Sequence, residues 1–211
     1  MITLKRATPE AIRYACLNFH YAKSIPSASY AYNVYNQEKE WCGVIIFGTG
    51  ANKSIAKPFN MVQGEVYELV RVALNGKQSC TSECVAASLK QLHKDAPQIK
   101  IVVSYADADQ EHIGTIYQAT NWIYLGLTDK GDTSSFIVNG RKMHRKSVCS
   151  KGWTQNETWL RKHVDPNAKA LITKGKRKYI WVYDKKLRKE WQKKALPYPK
   201  KVIEDGEQSQ S

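Results

Sequence analysis

The 211-residue sequence predicts an α/β (α+β) fold built on one central sheet, and three observations lead there. Residues 99–103 gather Ile99, Ile101, Val102 and Val103 without Gly or Pro, the mark of a buried strand. Stretches 9–18 and 83–93 read as helices on the two sides of a run of strand-like segments. A last strand, YIWVY at 179–183, comes only after residues 128–175, so the chain leaves the sheet for a long basic insertion and returns to it.

In chain order, 2–6 is an opening strand, and Thr8 before Pro9 starts a helix as its N-cap, with Pro9 preset at the first helical position. His20 and Tyr21 fall in the turn before Pro26. Residues 30–35 alternate with period two and carry an aromatic face, half-buried, from which a tyrosine is also able to stack on a base. The apolar run at 41–47 is a central strand covered on both faces, and 48–60 is a loop. Strand 66–73 places Glu68 and Arg71 on opposite faces by simple alternation, and neither charge is buried cheaply without a partner or a ligand. The turn at 75–82 opens the helix at 83–93, where Ser82 serves either as N-cap or as an anion contact. Strand 99–103 ends at Ser104, Tyr105 and Asp107. Ligands sit at the carboxyl ends of strands in open α/β sheets, so Asp107 leads the list of site candidates. From Glu111 to Asn121 the apolar spacing becomes helical, through Ile113, Ile116, Tyr117 and Thr120, and 122–125 is a strand closed by Gly126. Asn139-Gly140 signals a hairpin, 157–163 a short helix and 187–194 a basic helical end. The resulting organisation is one domain over 1–195, with the insertion at 128–175, and a polar tail at 196–211.

The formal charge of +14 is unevenly spread. Residues 141–201 hold 20 Lys and Arg against 4 Asp and Glu, a balance of +16, whereas the rest holds 13 against 15, or −2. A basic block interleaved with Trp and Tyr on an otherwise neutral chain is the footprint of a polyanion site. Lys142, Arg145, Lys146, Lys176, Arg177, Lys178, Lys185, Lys186, Arg188 and Lys189 are the residues expected to meet nucleic-acid phosphates. No run of eighteen apolar residues and no amino-terminal apolar segment are present, which points away from a membrane and to a cytoplasmic location. Five cysteines, an odd number set mostly in the expected helices and strands, read as reduced, buried thiols, and Cys80 and Cys84 lack the second half of a zinc pattern, so no metal is expected.

The string IYQATNW at 116–122 resembles the helix-to-strand signature of the GNAT acyltransferase superfamily. The longer pairing of SYAD at 104–107 with GTIYQATNWIYLG at 114–126 resembles the Mom family of Mu-type bacteriophages, which modify adenine in DNA. That resemblance covers residues 15–127 well and implies a GNAT-like fold, a mixed central sheet with helices on both faces. It further implies conversion of adenine in duplex DNA to N6-carbamoylmethyladenine, an anti-restriction activity. The family's site residues match His20, Tyr21, Arg71, Ser82, Asp107 and Tyr117. In that role Asp107 would take the N6 proton, Tyr117 would protonate the leaving group, Tyr21 would stack on a flipped base and Arg71 would meet an anionic donor. The superfamily's donor is acetyl-CoA or another acyl-CoA, its pyrophosphate held by a glycine-rich turn. Here that turn keeps only Gly76, with Ser79, Thr81 and Ser82 replacing the rest, so glycyl-tRNA stands as the alternative donor and tRNA as a second partner beside double-stranded DNA. Two other functions stay open: a non-enzymatic DNA- or RNA-binding protein on this scaffold, and a conventional N-acetyltransferase. Oligomeric state is left open, a dimer included.

Overall fold

The computed structural model describes residues 2–50, 54–128 and 131–200, the side chain of Ser134 apart. The chain forms two compact units. Met1–Tyr105, Gly114–Leu125 and Lys178–Ser211 make the larger, and Ala106–Ile113 with Gly126–Arg177 the smaller. β1 (Thr3–Arg6) leads into α1 (Pro9–Asn18), which Thr8 caps by accepting from Ala11 N at 3.3 Å. β2 (Tyr30–Tyr35), β3 (Trp41–Gly48) and β4 (Val66–Leu74) continue an antiparallel array from β1. α2 (Thr81–Asp95) then crosses to β5 (Ile101–Asp107), parallel to β4, as a helical crossover allows. After α3 (Thr115–Ala119) and β6 (Ile123–Thr128) come β7 (Thr133–Val138), β8 (Arg141–His144), α4 (Arg145–Ser150), α5 (Glu157–His163) and β9 (Lys169–Ile172). β10 (Lys176–Val182) and α6 (Lys185–Gln192) complete the chain. The large sheet runs β1-β2-β3-β4-β5-β10-β6, so the YIWVY strand enters between β5 and β6 instead of at an edge.

Alternation along β3 decides what covers each face. Val44 and Ile46 pack with Ala73 beneath Ala15 and Cys16 of α1. Ile45 pairs with Tyr32, whose hydroxyl donates to Asp95 Oδ2 at 2.8 Å in the last turn of α2. The two helices therefore lie on opposite faces. On the α1 side the core continues through Val66, Ile101, Val103, Ile123, Ile180 and Val182, each of which contributes on the order of 1.5–3 kcal/mol on burial.

Two irregularities shape the middle of the sheet. Ile46 pairs with Arg71 but the next residue, Phe47, pairs with Leu69, so Val70 is an extra residue in β4, a bulge. Glu68 pairs with Gly48, which is two residues from Ile46 and faces the same way. Glu68 and Arg71 therefore share the α1 side of the sheet, where simple alternation had set them on opposite faces; the bulge is the reason. The second irregularity is that β4 and β5 pair only from Val66 and Ile101 to Glu68 and Val103, although β4 runs on to Leu74.

Other expectations change in detail. The helix expected over 111–121 is reduced to α3, because Ala108–Gln110 form a 3-10 turn and Gly114 takes φ 81, a left-handed conformation that interrupts it. A Cβ on Gly114 would also stand 2.5 Å from the Tyr179 ring. Cys16, Cys42 and Cys84 are buried, but Cys80 and Cys149 are exposed, one at a helix start and one on a short helix of the smaller unit. Leu196 N donates to Tyr124 O at 2.9 Å and Tyr198 Oη to Trp122 O at 2.6 Å, so these residues, assigned by sequence to the tail, are tied to the larger unit.

The smaller unit centres on β7, flanked by β8 and β9. Asn139 and Gly140 both have positive φ, 50° and 71°, as the tight hairpin between β7 and β8 requires. Its core is Phe136, Val138, Val148, Leu160 and Ala168. Among the described residues no helix is long and apolar enough to cross a membrane.

Candidate active site

Past Glu68 and Val103 the β4–β5 ladder stops, and the next carbonyl, Leu69 O, is met by a side chain. Ser104 Oγ lies 3.0 Å from it and 2.8 Å from the phenol oxygen of Tyr117. Ser104 is 1% exposed, so each of these groups would be costly to leave without a partner. A serine has one proton to share between the two. When it points to the carbonyl the phenol donates to Ser104, and when it points to the phenol the tyrosine's own proton is released for another acceptor. Tyr117 sits on α3, with its ring against Trp122 and Tyr179, both at 5.1 Å between centroids. Burial pushes its phenol up to about 12; the Ser104 hydrogen bond acts the other way, and Tyr21, Glu68 and Tyr179 add to the rise. The phenol is thus protonated at neutral pH and backed by a donor able to support a transient phenolate.

Ser104 follows Val103 on the strand and faces the other side, so the phenol reaches the open end of the ladder from the α2 side. From the α1 side come Glu68 and Arg71. Arg71 Nη1 donates to His20 Nδ1 at 3.0 Å, Nη2 reaches Ser24 Oγ at 3.4 Å, and Nε is buried with no hydrogen-bond partner among the described residues. The same His20 Nδ1 accepts from Ala22 N at 3.1 Å. Two donors thus converge on one ring nitrogen, while Arg71 Nη1 also lies 3.5 Å from Nε2 of the same ring. Tyr21 lies against the imidazole at 4.3 Å and is 56% exposed. His20, Tyr21 and Arg71, up to 51 positions apart, are brought into contact, and Tyr21 is among the groups that raise the Tyr117 phenol. Ser24, Glu68 and Ser104 join them without having been assigned a site role from sequence. For Ser104 the signal was present, as the polar residue that breaks the apolar run of β5; for Glu68 it was hidden by the bulge.

Asp107 has a local partner at the end of its strand. It is the last residue of β5 and belongs to the smaller unit, where Oδ1 accepts from Asp109 N at 2.9 Å and caps the 3-10 turn. The α2 amino end gathers the other three candidates. Its N-cap is Cys80, not Ser82, which is the second helical residue and lies 2.9 Å from the Cys80 thiol. Thr81 Oγ1 accepts from Gln78 Nε2 at 3.0 Å, and Ser79 Oγ donates to Glu83 at 3.4 Å. The hydroxyls are engaged within the turn, so what this helix start offers an anion is its first-turn amides and dipole.

The basic candidates divide between the units. In the smaller, Lys142, Arg145, Lys146 and Lys176 are exposed, and desolvation of the ring followed by the charges of Lys176, Lys146 and Arg145 holds His144 below the ordinary imidazole value. Arg177 instead donates to His112 O at 2.9 Å. In the larger, Lys185, Lys186 and Lys189 project from α6 while Leu187 and Trp191 turn inward. Arg188 lies over Trp181 at 5.1 Å and donates to Asn121 O, and Lys178 lies over Phe59 at 4.8 Å, its ammonium pushed down by burial.

A mixed sheet whose parallel middle strands part beyond a bulge, with a buried tyrosine at the opening, has the GNAT acyltransferase fold. Among solved structures it resembles an aminoglycoside acetyltransferase in complex with coenzyme A and kanamycin, at 10% identity and a TM-score of 0.51, over 90% of this chain and 98% of that one. A spermidine/spermine N-acetyltransferase of Vibrio cholerae matches at 9% identity and a TM-score of 0.48, over 90% and 99% of the two chains. At such identity the first likeness speaks to the fold alone. Within that class the chain belongs to the Mom protein family, whose model matches residues 1–200.

Proposed function

We propose that this protein transfers an activated acyl group to N6 of an adenine flipped out of duplex DNA, on the way to N6-carbamoylmethyladenine. The observation that carries this reading is the buried Tyr117–Ser104 pair at the open end of the β4–β5 ladder, opposite Arg71, His20 and Tyr21, in a member of the Mom family. Adenine N6 is a weak nucleophile because its lone pair is delocalised into the ring, so the reaction needs both a proton acceptor for N6 and an acid for the leaving group. The protonated Tyr117 phenol supplies the acid. As N6 bonds to the acyl carbon and the bond to the leaving sulfur or oxygen breaks, the phenol proton passes to that atom and Ser104 donates to the phenolate left behind. The proton lost by N6 goes to a carboxylate and returns through solvent, so charge balances over a turnover. The exposed Tyr21 ring, steadied by His20, offers a stacking surface to an extruded base.

An acyl-coenzyme A, when bound, supplies a thioester already activated for attack. The residues fit such a group in part: the α2 amino end and Arg71 suit its anionic portion. The product sets a further requirement on the acyl group itself, since carbamoylmethyl contains a nitrogen that acetyl lacks. A glycyl group contains it. Once glycyl is on N6, its amine attacks ring carbon C6 and expels the original N6 as the terminal amide, with every atom accounted for and no oxidation. The donor class is therefore a glycyl ester or thioester. Mass spectrometry of nucleosides from DNA of cells expressing the protein tests the proposal. A carbamoylmethylated deoxyadenosine that disappears with Tyr117→Phe is expected; unmodified adenine with the wild-type protein would refute it.

A further inference from the structure

We propose that the corner of the smaller unit where β8 meets α4 grips the phosphates of the duplex DNA carrying the target adenine, with the His144 imidazole donating to a phosphate among Lys142, Arg145, Lys146 and Lys176. The inference deepens the function proposed above and rests on it for the identity of the nucleic acid. Alternation along β8 builds the corner. Met143 pairs with Phe136 and packs on the unit's core, so Lys142 and His144, one on either side of it, face away from that core. Two residues apart on a strand is about 7 Å, a step of the same order as that between neighbouring phosphates of one DNA strand. β8 ends where His144 caps α4, which brings Arg145 and Lys146 to the same place. Lys176 joins them from the start of β10, close enough for its charge to act on the His144 ring.

The bond between His144 and the helix start decides what its ring offers. Nδ1 accepts from Lys146 N at 3.1 Å, and a backbone amide only donates, so the ring proton sits on Nε2. Burial of the ring, and then the charges of Lys176, Lys146 and Arg145, hold the imidazole below its ordinary value. It is therefore neutral at neutral pH, and Nε2–H is a donor without a charge. Around it the cations are uncommitted to acids. Lys142, Arg145, Lys146 and Lys176 are exposed, and none forms a salt bridge among the described residues. In the same unit Asp107 accepts from Asp109 N, Asp109 from Lys174 N, Glu157 from Ala170 N and Asp165 from Asn139 N, so these carboxylates hold the unit's own backbone. Several exposed cations around one neutral donor suit a run of phosphates better than a single small anion. Turning a base out of a duplex costs unstacking energy, and contacts of this kind offset it without reading sequence.

The experiment compares full-length wild type with a protein carrying Lys142→Gln, Arg145→Gln, Lys146→Gln and Lys176→Gln together, and with His144→Asn, which keeps a side chain able to cap α4. Affinity for an adenine-containing duplex oligonucleotide and for a folded transfer RNA is measured at several salt concentrations, and modified deoxyadenosine is measured in the DNA of expressing cells. The fourfold variant is expected to bind the duplex weaker by about tenfold or more, and to lose about 0.9 in salt slope for each phosphate given up. His144→Asn is expected to bind about tenfold more weakly with an unchanged slope, because the donor it loses carries no charge. Wild-type affinity and slope in the fourfold variant, or a loss confined to transfer RNA, overturns the surface. Wild-type affinity in His144→Asn overturns the role given to the imidazole. Wild-type protein that binds the duplex through this corner yet modifies no adenine would refute the proposed function and leave the surface standing.

Discussion

Replacing Tyr117 by Phe separates chemistry from stability more sharply than any other substitution in this protein. The ring stays packed on Trp122 and Tyr179, so no cavity forms. Only the hydroxyl is lost, and Ser104 keeps the Leu69 carbonyl as its acceptor. The cost should be one net hydrogen bond, about 1 kcal/mol. Ser104→Ala is different, because it leaves both the Leu69 carbonyl and the Tyr117 phenol short of a buried partner, and roughly 2–4 kcal/mol should be lost. Activity should reverse the order: Tyr117→Phe removes the acid itself and should lower the yield of modified adenine by about 10²–10⁴-fold, whereas Ser104→Ala leaves the acid in place and should be milder. Alkaline stability gives a second reading. The phenol has its value raised from 10.0 to about 12, so the unfolded chain ionises first and stability falls as pH rises from 10 to 12. Tyr117→Phe should flatten that fall without abolishing it, since burial also raises Tyr32 and Tyr183. Urea denaturation across this pH range, with nucleoside yields at neutral pH, provides the assay. A Tyr117→Phe protein with wild-type yield, or one as destabilised as Ser104→Ala, would refute the reasoning.

Arg71→Lys should lower both stability and yield, by about 1–3 kcal/mol and at least tenfold, because an ammonium cannot replace a fork that reaches His20 and Ser24 at once; wild-type yield in this variant would show that the pair is dispensable. Neutralising Lys185, Lys186 and Lys189 together should flatten the salt dependence of DNA binding by about 0.9 in slope for each phosphate that these lysines neutralise, read from affinity at several salt concentrations. Arg188→Ala, by contrast, should lower the melting temperature and leave that slope nearly unchanged, since its guanidinium is spent on Trp181 and Asn121. Gly114→Ala should be strongly destabilising, as the added methyl meets the Tyr179 ring at 2.5 Å in a left-handed backbone, and a melting temperature within a degree or so of wild type would contradict that packing.

What the sequence made legible was what local chemistry governs. Thr8-Pro9 started a helix, Asn139-Gly140 turned a hairpin, and the apolar runs at 41–47 and 101–103 became interior strands, each because its residues leave the backbone few alternatives. His20, Tyr21 and Arg71, singled out through a resemblance, touch one another in the structure, and Tyr117, singled out in the same way, packs on Ser104. The rest depended on long-range pairing. One extra residue at Val70, invisible to period-two counting, moved Glu68 onto the same side as Arg71. A ladder that stops after Glu68 and Val103 gave Ser104 its partners, which its place at the end of the apolar run did not specify. The helix expected over 111–121 gave way at Gly114 because the ring of Tyr179, 65 residues on, occupies the space a side chain would need. Basic residues were equally ambiguous by sequence: Lys185 and Arg188 lie three apart, yet one is exposed and the other lies on an indole.

Feeding ¹⁵N-glycine to cells that express the wild-type protein or Tyr117→Phe, then digesting their DNA to nucleosides for mass spectrometry, tests the central claim most directly. A carbamoylmethylated deoxyadenosine carrying label from glycine is expected in the wild-type sample, and little or none with Tyr117→Phe. Adenine left unmodified by the wild-type protein, or modified equally by both, would contradict it.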